Sequence, residues 1–238
     1  MGFLSRVYLV LYNMVLVCGW FNILMHTCWC GYRAYLSNSL APFSKLYPAV
    51  EWYLLIFQTA AVMEILHAAV GLVKSNPVLT AFQVFSRLFI TWAIAYSVKQ
   101  VQSHISISMC LFAWSVTEVI RYSYYAFSLY NCTPYFLTWC RYTFFIVLYP
   151  LGVTGEVWSV LYSMPYASSL FRMALPNKYN FSFYFPYFLI VFVAMYFPSK
   201  SGLNFYGTLF QLFFFSFPST LSSHVWPTQK AAQAYPYP

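Results

Sequence analysis

The chain has 238 residues, of which 61% are hydrophobic, 24% aromatic and only 7% charged, against roughly a quarter charged in soluble domains. That composition excludes a water-soluble globular domain. Twelve Lys+Arg against four Asp+Glu give a formal charge of +8, but the basic residues stand singly between apolar blocks, which excludes a phosphate-tracking stripe and with it nucleic acid as a partner; such placement suits membrane helix ends beside lipid headgroups.

In chain order, taking about 20 apolar helical residues as the need of a bilayer core, six spans are read at 7–27, 50–72, 78–98, 105–129, 136–163 and 183–198. The first has the look of a signal peptide from Val7 to Leu24, and Val15-Leu16-Val17-Cys18 hints at a lipoprotein box. No small-residue cleavage site follows and further spans do, so it is read as the first membrane helix. Arg6 excludes an N-myristoylation signal. Turn residues separate the spans: Asn38, Pro42 and Pro48; Ser75-Asn76-Pro77; the polar stretch Lys99 to His104; Asn131 to Pro134; and Pro165 to Asn180. Such short connections predict an all-α, polytopic membrane helix bundle of six transmembrane helices in one domain, residues 1–198. Phe205 to Phe217 is a short apolar seventh segment of about 13 residues, too short to cross, and is read as re-entrant or interfacial. The tail ending at Pro238 is expected to be disordered, so 199–238 is set apart. Arg6, Lys74, Lys200 and Lys230 on one side nearly balance Arg33, Lys45, Lys99, Arg172 and Lys178 on the other, and the positive-inside rule assigns no orientation.

The six cysteines form no C-x-x-C pair and lie in or beside apolar runs, where Cys behaves as a small hydrophobe. No disulfide framework is expected. His26, Cys28 and Cys30 lie close together, but no second ligand cluster at zinc-like spacing follows, so no metal site is expected either.

Ionisable residues inside spans carry the most information, because each costs roughly 2.5–3.5 kcal/mol at a helix centre on insertion scales. Glu64 and His67 lie three apart on the second span, Arg87 is central in the third, Glu118 and Arg121 lie three apart in the fourth, and the fifth carries Arg141, Tyr149 and Glu156. Glu118 can pair with Arg121 along one helix, and Glu64 with Arg87 or Arg141 across helices, holding a bundle together without chemistry. Glu156 differs, since no basic residue lies within a turn or two of it. A desolvated carboxylate of that kind keeps its proton more readily than one in water, as general acid–base work requires. In Tyr149-Pro150-Leu151-Gly152-Val153-Thr154-Gly155-Glu156 a proline and two glycines sit inside an apolar span, so a broken helix lining a cavity is expected. Seven residues are two helical turns, which puts Tyr149 and Glu156 on one face, about 10.5 Å apart along the axis. That exceeds what two groups acting on adjacent carbons want, so long side chains or local unwinding at Pro150 are expected to close the distance.

The stretches Tyr8–Asn13, Glu64-Ile65-Leu66-His67, Phe82–Arg87, Thr117–Ser123, Arg141-Tyr142-Thr143, Tyr149–Glu156 and Leu175–Phe183, over about three quarters of the chain, resemble the 3-hydroxyacyl-CoA dehydratase family, also called protein tyrosine phosphatase-like. The resemblance implies six spans with cytosolic termini in the endoplasmic reticulum membrane, and Tyr149 and Glu156 as the catalytic pair. It implies removal of water from a very-long-chain (3R)-3-hydroxyacyl-CoA to give the trans-2-enoyl-CoA, the third step of fatty-acid elongation. Substrate, membrane lipid and other elongation enzymes are the expected partners. Glu156 as base at C2 and Tyr149 as proton donor at C3 is one assignment and the reverse the other; Arg87, Arg141 and Gly152 are candidates for binding or orienting the substrate. No cofactor is expected, because elimination is redox-neutral and no Gly-rich dinucleotide loop is present. Phosphatase chemistry is excluded, since no Cys is followed six positions later by Arg.

Two departures from the family pattern stand out. Tyr184 follows Asn180-Phe181-Ser182-Phe183 where relatives carry Asp, and from about Phe197 the expected helix end and basic tail give way to an apolar, Pro-rich sequence. An inactive membrane scaffold of the elongation complex is therefore the rival reading. A transporter is the third, disfavoured because the Pro-Gly break has no internal repeat.

Overall fold

The computed structural model of the protein describes residues 2–73, 75–170, 172–173 and 183–194. These residues are almost wholly helical. They form two units, a main one of 2–61 with 85–194 and a smaller one of 62–84. The predicted seventh segment at Phe205 to Phe217 and the whole of 199–238 lie outside the described residues.

In the main unit, α1 runs from Phe3 to Ser37. Its 35 residues make roughly 52 Å of helix against a hydrocarbon core of about 30 Å, so it outlasts the predicted span by ten residues. No Gly-Pro interruption stops it until Asn38 takes the left-handed conformation at φ 48°, where its N–H and that of Ser39 bond the last carbonyls. The buried stripe Leu9, Asn13, Leu16, Trp20, Ile23 and Thr27 recurs every three or four residues, the spacing of one helical face. Its two polar members are satisfied internally: Asn13 Nδ2 donates to the Leu9 carbonyl at 2.7 Å and Thr27 Oγ1 to that of Ile23 at 2.8 Å.

A 3₁₀ turn at Ala41–Lys45 leads to α2, Leu46–Ala60, which packs on α1. Here Gly19 is needed for close approach, because a Cβ would meet the Phe57 ring at 2.2 Å. The smaller unit holds α3, Val62–Ala69, and the start of α4, Pro77–Leu88. Gly71, at φ 76°, ends α3, while Asn76 Oδ1 accepts the Val78 N–H at 3.0 Å ahead of α4 with Pro77 at its first position, the turn chemistry expected there. After Leu88 the helix widens into a π-helix, Phe89–Tyr96. The one-turn helix α5, Lys99–Gln102, follows, and Gln102 Nε2 donates back to the Ala95 carbonyl at 3.0 Å.

Helix α6, Ile105–Ser128, packs most extensively against α1 and α8. The predicted span 136–163 is two helices, α7 at Tyr135–Thr143 and α8 at Phe145–Leu170. A two-residue antiparallel ladder pairs Arg172–Met173 with Phe183–Tyr184, and α9, Phe185–Ala194, ends the described chain. Phe185, Phe188 and Phe192 of α9 surround the Phe89 ring at 6.1, 5.3 and 4.6 Å.

Three segments among the described residues are long and apolar enough to cross a membrane: Phe3–Ser37, Ala41–Ala69 and Phe145–Tyr166. Helix α6 is long enough, but its serines, Glu118 and Arg121 lower its hydropathy. Ser106, Ser108, Ser115 and Glu118 are all buried, so these polar groups of α6 face protein.

Candidate active site at the α6–α8 seam

The helix that carries Tyr149 and Glu156 is not broken. Helix α8 passes through Pro150 and Pro165 without interruption, and the boundary with α7 comes earlier, at Phe144, whose φ of −66° and ψ of −25° are themselves helical. Proline removes one helical hydrogen bond, but tertiary packing holds the axis. A stripe of small residues, Gly152, Gly155, Ser159 and Ser163, is buried on one side of α8. It runs antiparallel to Ser106, Cys110 and Ala113 of α6. Gly152 faces Ala113, a Cβ there reaching it at 3.5 Å, and Gly155 lies on the α6 backbone. Ser159 Oγ donates to Ser106 Oγ at 2.9 Å.

A Cβ on Gly155 would stand 2.9 Å from Cys110 Sγ and 3.1 Å from both Cys110 N and Ser106 O. Gly155→Ala is therefore expected to destabilise the protein by about 1–3 kcal/mol through overpacking, and Gly152→Ala to be far milder. Melting of the two variants in detergent checks this, and equal losses would contradict it.

Tyr149 and Glu156 are both half-buried on α8, and the carboxylate lies within electrostatic reach of the phenol. Phe145, one turn before Tyr149, packs its ring 5.2 Å from the phenol ring. Glu156 was expected to stand without a short-range partner. Instead Trp114 Nε1 of α6 donates to Glu156 Oε1 at 2.8 Å. The donor is 42 positions away on another helix, beyond the reach of any spacing argument along α8.

Arg87 Nη1 binds Glu118 Oε1, and Arg121 holds the other oxygen through Nε at 2.8 Å and Nη2 at 2.6 Å. The Glu118–Arg121 pair expected from i, i+3 spacing is thus present, joined by Arg87, for which Glu64 had been one suggested partner. Arg121 Nη2 also donates to Tyr122 Oη at 2.7 Å. The Arg87 guanidinium lies 5.9 Å from the Trp114 ring, which brings Arg87 to the residue that bonds Glu156. Arg141, buried at the end of α7, rests its guanidinium over Tyr124 at 4.7 Å and Tyr125 at 5.7 Å. Glu64 and His67 share α3 in the smaller unit, within electrostatic reach of each other.

Trp114 carried a signal that reasoning from charge passed over: Trp114, Glu118 and Arg121 stand at i, i+4 and i+7, hence on one face of α6. His104 is a second such residue. It precedes α6, and its Nδ1 accepts the Ser106 N–H at 3.3 Å and lies 2.8 Å from Ser106 Oγ. Its ring stacks on Tyr162 at 4.1 Å and meets Trp158 edge-on at 5.0 Å. Burial lowers its pKa from the ordinary 6.5, because a ring taken out of water holds a charge less readily. A lowered folded value means that the unfolded chain takes the proton first. The stabilisation from His104 is then full above about pH 6.5 and is lost as the pH falls through the lowered folded value. His104→Asn, which caps without titrating, is expected to flatten that part of the stability–pH curve, as read by melting between about pH 5 and 7.

His26, Cys28 and Cys30 all lie on the last turns of α1. Among the described residues no three His, Cys, Asp or Glu side chains converge as a metal site would need.

The family profile described as "Protein tyrosine phosphatase-like protein, PTPLA" matches residues 58–212. Very-long-chain (3R)-3-hydroxyacyl-CoA dehydratase 2 of Mus musculus is 46% identical over 207 residues, covering 86% of this chain and 79% of that protein. Very-long-chain (3R)-3-hydroxyacyl-CoA dehydratase 1 of Canis lupus familiaris is 39% identical over 208 residues, covering 87% and 81%. Very-long-chain (3R)-3-hydroxyacyl-CoA dehydratase PASTICCINO 2 of Arabidopsis thaliana is 40% identical over 205 residues, covering 84% and 90%. No solved structure matches the chain. With a profile match over more than half its length and this level of identity, the chain belongs to the protein tyrosine phosphatase-like, PTPLA, family.

Proposed function

We propose that the protein is a very-long-chain (3R)-3-hydroxyacyl-CoA dehydratase, a hydro-lyase that removes water from the 3-hydroxyacyl thioester to give trans-2-enoyl-CoA. The observation that carries this reading is the pairing of a half-buried phenol and a half-buried carboxylate, Tyr149 and Glu156, two turns apart on one membrane helix and within electrostatic reach of each other. The names of its relatives support it.

Elimination removes the C2 proton, acidified by the thioester carbonyl, and expels the C3 hydroxyl, which leaves only with a proton. One group must take a proton and another must give one. Glu156 and Tyr149 share these roles, in either order. Helix α8 stays intact between them, so the two groups stand two turns, roughly 10.5 Å, apart along the axis, and the substrate's C2 and C3 must be reached along that face. Gly152 lets α8 close on Ala113 next to Trp114, and Arg87 and Arg141 are the cations that orient the substrate's polar end. The acyl chain lies among apolar helices while its CoA head stays at the aqueous face.

The rest of the reading is a six-span, multi-pass protein of the endoplasmic reticulum membrane, residues 1–198, followed by a divergent segment at 199–238. It works beside other fatty-acid elongation enzymes.

The test is direct. Purified full-length protein in detergent is incubated with a long-chain (3R)-3-hydroxyacyl-CoA, and the conjugated trans-2-enoyl product is followed. Product that forms with wild type and is lost on Glu156→Gln supports the reading; folded wild type that forms none would leave the chain a membrane scaffold.

A further inference from the structure

We propose that Trp114 is a positioning residue for Glu156, its indole N–H fixing the orientation of the carboxylate that works at the substrate. This rests on the role assigned above to Glu156. Trp114 is 3% exposed, and a buried indole N–H is a donor whose desolvation is offset by an acceptor. It finds Glu156 Oε1 at 2.8 Å, a charge-assisted bond when the carboxylate is ionised. With the helices held in register by Gly155 on the Cys110 backbone and Gly152 on Ala113, the indole has little freedom to turn away.

The opposite end of the device is also anchored. The Arg87 guanidinium lies 5.9 Å from the Trp114 ring, inside the range of attraction between a cation and an aromatic face. Arg87 is itself tied to Glu118, which Arg121 grips from the other side. A continuous line of contacts, Arg121 to Glu118 to Arg87 to Trp114 to Glu156, therefore runs from the ion-pair cluster to the candidate catalytic carboxylate. Rigid support of this kind keeps a reacting group within the few tenths of an ångström that productive geometry needs.

Trp114→Phe tests this cleanly, since it keeps an aromatic face for Arg87 and removes the N–H. Where Phe repacks poorly, incorporation of 3-benzothienylalanine keeps the indole shape with sulfur in place of N–H. With folding verified by melting and monodispersity, kcat is expected to fall roughly 10- to 100-fold, the effect of losing one hydrogen bond to a charged group, with KM within about two-fold. Added to Glu156→Gln, the same substitution is expected to cost less than about two-fold further, because the group that the N–H orients no longer transfers a proton. A purely structural role would lower the melting temperature, leave kcat per folded molecule intact, and show the same cost in both backgrounds. Either substitution retaining wild-type kcat while Glu156→Gln is inactive overturns the Trp114 role and leaves the function standing. Activity undiminished in Glu156→Gln overturns both.

Discussion

Glu156→Gln is expected to lower turnover of a long-chain (3R)-3-hydroxyacyl-CoA by roughly 10²- to 10⁴-fold, the usual worth of a positioned general acid or base. The substitution is nearly isosteric. The amide keeps an oxygen to accept the Trp114 N–H, so the seam between α6 and α8 should survive while proton transfer does not. Tyr149→Phe removes only the phenol oxygen from a ring that still packs against Phe145, and a comparable loss is expected. The double variant should be little worse than either single one, since a proton taken at C2 is useless without one delivered at C3. Product formation per folded molecule checks all three, and a double variant showing the full product of two independent losses would contradict a concerted pair.

Glu118→Gln is expected to be the most destabilising single change. The carboxylate is 1% exposed and neutralises two guanidiniums, Arg87 and Arg121, 9% and 21% exposed. Removing the shared anion leaves two cations facing each other in a low-dielectric interior. Breaking a buried ion pair on one side costs about 3–5 kcal/mol, or roughly 6–20 °C in melting temperature for a chain of this size. Adding Arg87→Met should recover part of the loss, because it removes the buried cation that lost its partner. A melting temperature in detergent within about 2 °C of wild type, less than a 1 kcal/mol effect at this size, would show that the cluster does not hold the bundle. Activity should fall as well, through the contact of Arg87 with Trp114.

Local signals were legible where they are local. Asn76-Pro77 was a turn by composition and is one, with the Asn76 side chain bonded to the Val78 N–H. The Glu118–Arg121 pair followed from helical spacing and is present. The proline inside α8 misled for an instructive reason. A lone proline costs one hydrogen bond in an isolated helix, but here Gly152, Gly155 and Ser159 of α8 pack on α6 and the helix continues through Pro150. Glu156 misled in the same way, its partner being Trp114, distant in sequence.

By itself, the amino-acid sequence determined that this chain belongs in a membrane, that it is helical, and that Tyr149 and Glu156 share a helix face. Apolar content and periodicity are properties of short windows and need no knowledge of the rest of the chain. Only the tertiary structure decided which groups meet: Trp114 on Glu156, Arg87 with Arg121 on Glu118, and Gly155 on the backbone of α6. Those contacts depend on the register of α6 against α8. Interhelical register is set by the packing of small residues over many turns, which no single motif encodes.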